Sequence, residues 1–78
     1  MFDEYLDSEY SIVKGVAEAL DMIKKDHDAG NLSKEEAEEL SGDIIEMARL
    51  QTLAETVERK AAIEKAVDAL SSLFHTKL

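Results

Sequence analysis

The chain has 78 residues, with 18 acidic residues against nine basic ones, a net charge of −9, and no Cys, Pro or Trp. These figures allow one small domain, 1–78, and exclude a disulfide scaffold, a thiolate metal site and a Cys nucleophile. No apolar run approaches the ~20 residues of a membrane span, no secretory signal is visible, and the acidic balance disfavours direct nucleic-acid binding. We therefore expect a cytoplasmic protein that does not associate with membranes.

The composition predicts an all-α fold. Apolar residues make up 45% of the chain, which favours a folded core over disorder. Ala, Leu, Glu and Lys are strong helix formers, and only three glycines interrupt them. Because a chain of this size buries a small core, we expect self-association or a partner to add buried area.

The first predicted helix runs from about Asp3 or Ser8 to Ala29. Its apolar residues recur every three, four or seven positions, on one side of a helix. Gly30 suits the left-handed residue that ends a helix. Ser33 and Glu36 have the spacing of a capping box, in which each side chain binds the backbone N–H of the other residue. The short link predicts an antiparallel helical hairpin.

The second helical stretch is predicted from Lys34 to about Phe74. Gly42 is its weak point, yet Ala37, Leu40, Ile44 and Met47 keep one phase across it, which indicates a continuous helix. Further on the phase changes around the polar segment Glu58–Lys60. Either the helix breaks there, giving three helices, or one long helix contacts different neighbours along its length.

Charge is distributed unevenly along the chain. Residues 1–46, the predicted acidic hairpin, carry 14 acidic and four basic side chains, whereas residues 47–78 carry four acidic and five basic ones and are rich in Ala. The acidic part is either a solvated surface or a docking surface for a basic partner. In the second case, the candidate acidic face is formed by Glu35, Glu36, Glu38 and Glu39.

An apolar stripe follows in the C-terminal part. Ile63, Val67, Leu70 and Phe74 share one side of the helix, and interspersed alanines favour close approach of another helix. The stripe is either ordinary core or a seam for an oligomer or partner, and we name these four residues as the candidate apolar seam.

No catalytic residue, metal site or cofactor is predicted. The segment around Gly30 has some features of an EF-hand, but the earlier ligand positions fall on Lys25, His27 and Ala29, which lack the required carboxylates. His27 and His75 are far apart in the sequence, so no zinc-binding pair exists. No Ser lies in a nucleophile motif. The sequence therefore indicates a protein that is not an enzyme.

Two segments carry a family resemblance. IKKDHDAGNLSKEEAEEL, residues 23–40, and GDIIEMARLQTLAETVERKAAIEKAVDALSSL, residues 42–73, are similar to the helical hairpin and long second helix of small accessory and virion-assembly proteins of tailed bacteriophages. The resemblance implies a non-enzymatic virion or assembly component, placed in the host cytoplasm or the virion. It assigns no functional residues.

Two functions fit these observations. The first is a helical protein–protein interaction module, oligomeric and acting in assembly or as an adaptor, with a protein partner or a second copy as its ligand. The alternative is an acidic nucleic-acid mimic that inhibits a DNA- or RNA-binding host protein, because rows of carboxylates imitate phosphates.

Overall fold

The computed structural model describes residues 2–6 and 8–78, and for Asp3 and Glu4 it describes the backbone alone. Within these ranges every regular element is a helix, so the predicted all-α class is confirmed. The helices are α1 (Asp3–Leu6), α2 (Ser11–Asp28), α3 (Lys34–Thr52) and α4 (Val57–Lys77). None of the helices in the described part of the chain has the length and hydropathy to cross a bilayer.

The three long helices form a bundle in which each contacts the other two, and the short α1 packs on α2. The bundle measures 40 × 21 × 17 Å. One continuous apolar core lies at the centre of the bundle. Phe2, the residue immediately before α1, is part of this core. The buried apolar residues are Phe2, Val13, Val16, Ala17, Leu20, Ile23, Ala37, Ile45, Ala48, Ile63, Val67, Leu70 and Phe74.

Gly30 ends α2 through its left-handed backbone. Its φ is +83°, a conformation that costs other residues energy because of their Cβ atom. The Gly30 N–H donates to the His27 carbonyl at 3.0 Å, and the Asn31 N–H donates to the Asp26 carbonyl at 2.9 Å. These two bonds form a Schellman motif and satisfy carbonyls that the helix end would leave free.

The predicted capping box at the start of α3 is confirmed. The Glu36 N–H donates to the Ser33 hydroxyl at 3.1 Å, and the Ser33 N–H donates to the Glu36 carboxylate at 3.0 Å. The helix then continues through Gly42 to Thr52 without interruption. The expectation of one continuous helix across Gly42 is therefore correct.

The break in the second helical stretch lies slightly before the predicted position. Residues 53–56 separate α3 from α4, whereas the sequence placed the break near Glu58–Lys60. The hydroxyl of Thr56 accepts from the Arg59 N–H at 3.4 Å and caps α4. A similar difference occurs at the start of the chain, where α1 and α2 are separate helices and Ser11 begins the second.

The core side of α3 is built mainly from small residues. Its buried positions are Ala37, Ser41, Ile45, Ala48 and Thr52. The Ser41 hydroxyl donates to the Glu38 carbonyl at 2.8 Å and the Thr52 hydroxyl to the Arg49 carbonyl at 2.6 Å, so both buried polar groups are satisfied within the helix. Leu40 and Met47 are both exposed, although the sequence pattern places them in one phase with the buried Ala37.

Candidate protein-binding groove

The four residues of the candidate apolar seam lie in the core of the bundle. Ile63, Val67, Leu70 and Phe74 are each at most 1% exposed. Their stripe is covered by α2 and α3 of the same chain, which contact α4 along its length. The assignment of this stripe as a surface for another molecule is therefore wrong, and of the two alternatives it is the core that the structure supports.

Large apolar side chains are exposed elsewhere, chiefly on α3 and around its end. Met47 is 59% exposed and Leu50 is 64% exposed, and two more lie at the turn into α4. Singly exposed apolar residues are ordinary on protein surfaces, so their arrangement matters more than their number. The exposed large apolar residues are Met22, Leu40, Met47, Leu50, Leu53 and Val57.

Part of this apolar surface forms a groove between α2 and α3. Its volume is about 170 Å³, and no residue of α4 lines it. The α3 wall consists of residues spaced three and four apart, as on one side of a helix. The α2 wall includes Gly15 and Ala19, whose small size leaves the groove open. The lining residues are Ser11, Ile12, Gly15, Val16, Ala19, Ile44, Met47, Ala48 and Gln51.

Gly15 lies in the wall of the groove and has free space around it. A Cβ atom placed on Gly15 would have no neighbouring atom within 4 Å. Packing of α2 against the rest of the chain therefore does not require glycine here. The residue leaves free space on the side of α2 that faces the groove.

An acidic stripe runs along α3 beside the groove. We define it as Glu36, Glu39, Asp43 and Glu46, which are spaced three, four and three residues apart and are all exposed. Residues four apart are neighbours on a helix surface, so Glu36 adjoins Leu40 and Asp43 adjoins Met47, while Glu39 and Glu46 lie further round the exposed side of α3. No basic residue occurs from 35 to 48. Within the described part of the chain, none of Glu39, Asp43 and Glu46 pairs with a cation.

The predicted acidic face is only partly as expected. Glu35 and Glu39 are exposed, whereas Glu38 is half-buried. The carboxylate of Glu36 is engaged in the cap. It accepts a hydrogen bond from the Ser33 N–H, and this bond lowers the pKa of Glu36 below the ordinary value. The exposed row of carboxylates instead continues along the helix through Asp43 and Glu46.

A second, wider depression between α2 and α4 is charged and internally paired. It is lined by Asp21, Lys24, Lys25, Asp28, Leu73 and Lys77. Lys24 donates to Asp28 at 2.6 Å, and this bond lowers the pKa of the Asp28 carboxyl. Lys25 pairs with Asp21 at 2.9 Å. These ion pairs join the four charged groups that α2 contributes, and Lys77 of α4 is the fifth charged residue of the lining.

The described residues offer no cluster of three or more side chains suited to a metal ion. His27 lies in the last turn of α2, where its nearest acidic partner is Asp28, with 3.5 Å between Nδ1 and a carboxylate oxygen. His75 packs edge-on against Phe74 near the other end of the chain. The two imidazoles therefore belong to separate local environments.

Comparison with known proteins gives no relative from which a function can be transferred: no family model, no curated protein and no solved structure matches the chain. The protein is thus defined by its architecture, a small acidic three-helix bundle with an open apolar groove. Since a fold alone does not determine function, we infer the function from the groove and its charged border.

Proposed function

We propose that this chain is a non-enzymatic helical protein–protein interaction module that binds a protein partner in the groove between α2 and α3. The single observation that carries the proposal is the apolar lining of this groove beside an acidic stripe that lacks cationic partners among the described residues. An apolar centre with a polar rim is the usual organisation of a protein interface. A role in assembly or as an adaptor, in the cytoplasm or in a virion, belongs to the same proposal.

The groove depends on α2 and α3 lying antiparallel, as proposed from the short link between them. Ser11 and Ile12 come from the first turn of α2, and Gln51 comes from the last turn of α3, yet all three line the same groove. This arrangement leaves one side of the helix pair for α4 and the opposite side for a partner. The α2–α3 pair therefore has two apolar sides, one packed against α4 and the other lining the groove.

The titratable groups support a binding role over catalysis. Among the described residues, the carboxyl groups of Asp28 and Glu36 have shifted pKa values, and hydrogen bonds from nearby residues lower both. A general acid near neutral pH requires the opposite shift. Both groups are fully engaged in local structure, one in an ion pair and the other in a helix cap.

The proposed partner is a different protein. A homo-oligomer was expected to cover the apolar stripe that begins at Ile63, but α2 and α3 of the same chain already cover it. Two copies facing each other across the groove would also bring two acidic stripes together, which is unfavourable at ordinary salt concentrations.

The proposal is tested by site-specific photo-crosslinking in an extract of the source organism. A photoreactive amino acid replaces Met47 in the groove or, as the control, Ala69, which is exposed on α4. We expect a defined protein to be crosslinked from Met47 and not from Ala69, and to be lost when Gly15→Trp fills the groove. Equal crosslinking from both positions, or none from Met47, would contradict the proposal.

A second candidate function, inhibition of a nucleic-acid-binding protein by mimicry, is favoured by the acidic stripe itself. Its carboxylates extend over about 15 Å of helix, and they compete for a basic groove if they imitate phosphates. Reversing Glu39, Asp43 and Glu46 to Lys would then abolish binding, while Met47→Asp would leave it intact. Loss of binding in Met47→Asp would rule out a purely electrostatic mimic.

A further inference from the structure

We infer that the ligand of the groove is a basic amphipathic helix presented by a partner protein. This inference rests on the proposed function and specifies the chemistry of the ligand. The apolar side of such a helix would lie between α2 and α3, and its Lys or Arg side chains would lie over the acidic stripe. The complex would be a four-helix arrangement with α4 and the partner helix on opposite sides of the helix pair.

The shape of the groove suits a helix. Ile44, Met47, Ala48 and Gln51 form a ridge with the spacing of one helix side, and Ile12, Val16 and Ala19 form the facing ridge. A third helix packs into the space between two such ridges with its own rows of side chains. Gly15 and Ala19 allow its backbone to approach α2 closely, while the flexible side chain of Met47 adapts to the contacting surface.

The apolar surface extends beyond the centre of the groove. Leu40 lies one turn before Ile44 on α3, and Met22 lies one turn after Ala19 on α2, and both are exposed. Apolar side chains at i, i+3, i+4 and i+7 of an incoming helix meet such a surface over several turns. The groove is therefore longer than the pocket at its centre.

Charge identifies the class of helix. The acidic stripe borders the groove along α3, while on α2 the charge of the exposed Lys14 is balanced by that of Glu18. The edge of the groove thus has a net negative charge that comes from one side. A helix with basic residues beside its apolar row complements this edge, whereas an acidic helix is repelled by it.

A second copy of this chain does not meet these requirements. Its basic helix is α4, which carries Lys60, Lys65 and Lys77, but the apolar row of α4 is buried in its own core, and the exposed Val57 stands alone at the first position of the helix. Presenting them to another molecule would require the bundle to open. No helix in the described part of the chain therefore combines an exposed apolar row with basic flanks, and we assign the ligand to another protein.

The experiment uses synthetic peptides as probes and the full chain as the receptor. The first peptide is as long as α2, 18 residues, with Leu at helix-spaced positions and Lys beside them. A second peptide contains Glu in place of every Lys, and a third has the composition of the first in an order that removes the apolar side. Fluorescence anisotropy measures the Kd of each peptide. We expect saturable binding of the first peptide and at least about tenfold weaker binding of the other two.

A matched pair of variants locates the site. Met47→Asp and Leu50→Asp introduce the same charge on the same helix at residues of similar exposure, but only Met47 lines the groove. We expect Met47→Asp to raise the Kd of the basic peptide by about tenfold or more, although it adds negative charge, and Leu50→Asp to change it by less than about twofold. Equal effects of the two variants would overturn the assignment to the groove.

A second pair tests the role of charge. Glu39→Gln with Glu46→Gln removes two charges from the acidic stripe, and Glu58→Gln with Glu64→Gln removes two from α4. The first pair is expected to weaken binding and to reduce its dependence on salt, because fewer ionic contacts remain. If the control pair has the same effect, net charge and not the stripe attracts the peptide, which contradicts the inference.

The remaining outcomes separate this inference from the proposed function. Equal affinity for the Lys and Glu peptides, or no binding of any peptide, overturns the basic helix, whereas crosslinking from Met47 in an extract still tests the groove as an interface. Sedimentation equilibrium of the chain alone provides a further check. A dimer that is present in the native chain and absent in Met47→Asp would identify a second copy as the occupant and overturn the inference.

Discussion

The guanidinium of Arg59 lies 5.0 Å from the centre of the Tyr10 ring, which joins the first turn of α4 to the residue that precedes α2. The Nε atom of Arg59 also donates to the Glu55 carboxylate at 3.1 Å. One side chain thus connects the turn between α3 and α4 with the start of α2. This contact fixes the position of α4 at the end of the bundle where the turn lies.

We expect the Arg59–Tyr10 contact to contribute about 0.5–1 kcal/mol to the free energy of unfolding, as cation–π pairs at accessible sites do. The measurement is a double-mutant cycle with Arg59→Gln and Tyr10→Leu, analysed by urea denaturation. The coupling term isolates the contact from the bond between Arg59 and Glu55, which only the first substitution removes. A coupling close to zero would show that the two side chains are merely adjacent.

Substitution of the cap residue should destabilise α3. We expect Ser33→Ala to lower the free energy of unfolding by about 1 kcal/mol, because the Glu36 N–H loses its acceptor. Ser72→Ala, at an exposed position near the end of α4, serves as the control and should have a much smaller effect. Thermal unfolding followed by circular dichroism measures both variants. Equal stability of Ser33→Ala and the native chain would contradict the role of the hydroxyl.

The cap should also be sensitive to pH. The N–H of Ser33 lowers the pKa of Glu36 in the folded chain, so the charged form adds stability above the ordinary glutamate value of about 4.3. This contribution is lost as the pH falls through the lower pKa of the folded state. The difference in melting temperature between the native chain and Glu36→Gln should therefore be present at pH 7 and vanish in strong acid.

The same substitution outside the cap, Glu39→Gln, provides the comparison for this pH series. Its side chain accepts no hydrogen bond from the backbone at the start of α3, so its effect on stability should depend less on pH. Nuclear magnetic resonance titration of the Glu36 carboxyl gives a direct second measurement. A Glu36 pKa at or above the ordinary value would contradict the prediction.

The three glycines should respond differently to alanine. Gly15 and Gly42 lie inside helices with free space around an added Cβ atom, so Gly15→Ala and Gly42→Ala should each raise the free energy of unfolding by up to about 1 kcal/mol. Gly30→Ala should lower it by about 1 kcal/mol, because the φ of +83° is unfavourable with a side chain. Chemical denaturation of all three variants tests the order.

Truncation of a residue in the candidate apolar seam should destabilise the fold of the single chain and not an interface between chains. Leu70 is completely buried, so Leu70→Ala is expected to cost about 2–5 kcal/mol, a large part of the stability of a domain of this size. The control Leu53→Ala removes the same atoms from an exposed position and should cost little. A folded, stable Leu70→Ala chain with altered oligomeric state would restore the interface interpretation.

Local signals in the sequence predicted local structure well. Gly30, Ser33 and Glu36 act within a few residues of one another, so their spacing is sufficient to place the end of α2 and the start of α3. The break before α4 was predicted a few residues too late. Thr56, which caps α4, lies before the polar segment Glu58–Lys60 on which the prediction was based.

The distribution of surface and core was harder to predict, because it depends on which helices cover each other. The period of Ile63, Val67, Leu70 and Phe74 showed that one side of α4 is apolar but gave no information about the molecule that covers it. The groove was missed for a related reason. Leu40 and Met47 share the sequence phase of Ala37 but are exposed, whereas Ser41 and Thr52, whose hydroxyls bind their own helix, occupy buried positions.

The small buried side of α3 has a consequence for how this protein changes over evolution. Ala, Ser and Thr provide much of its inner contact, while Leu and Met residues point outward. Substitutions at the exposed Leu40 and Met47 therefore change the polarity in and around the groove with little effect on the packing of the bundle. Sequence change on the exposed side of α3 therefore costs little stability, whereas change at its small buried residues alters the packing of the whole bundle.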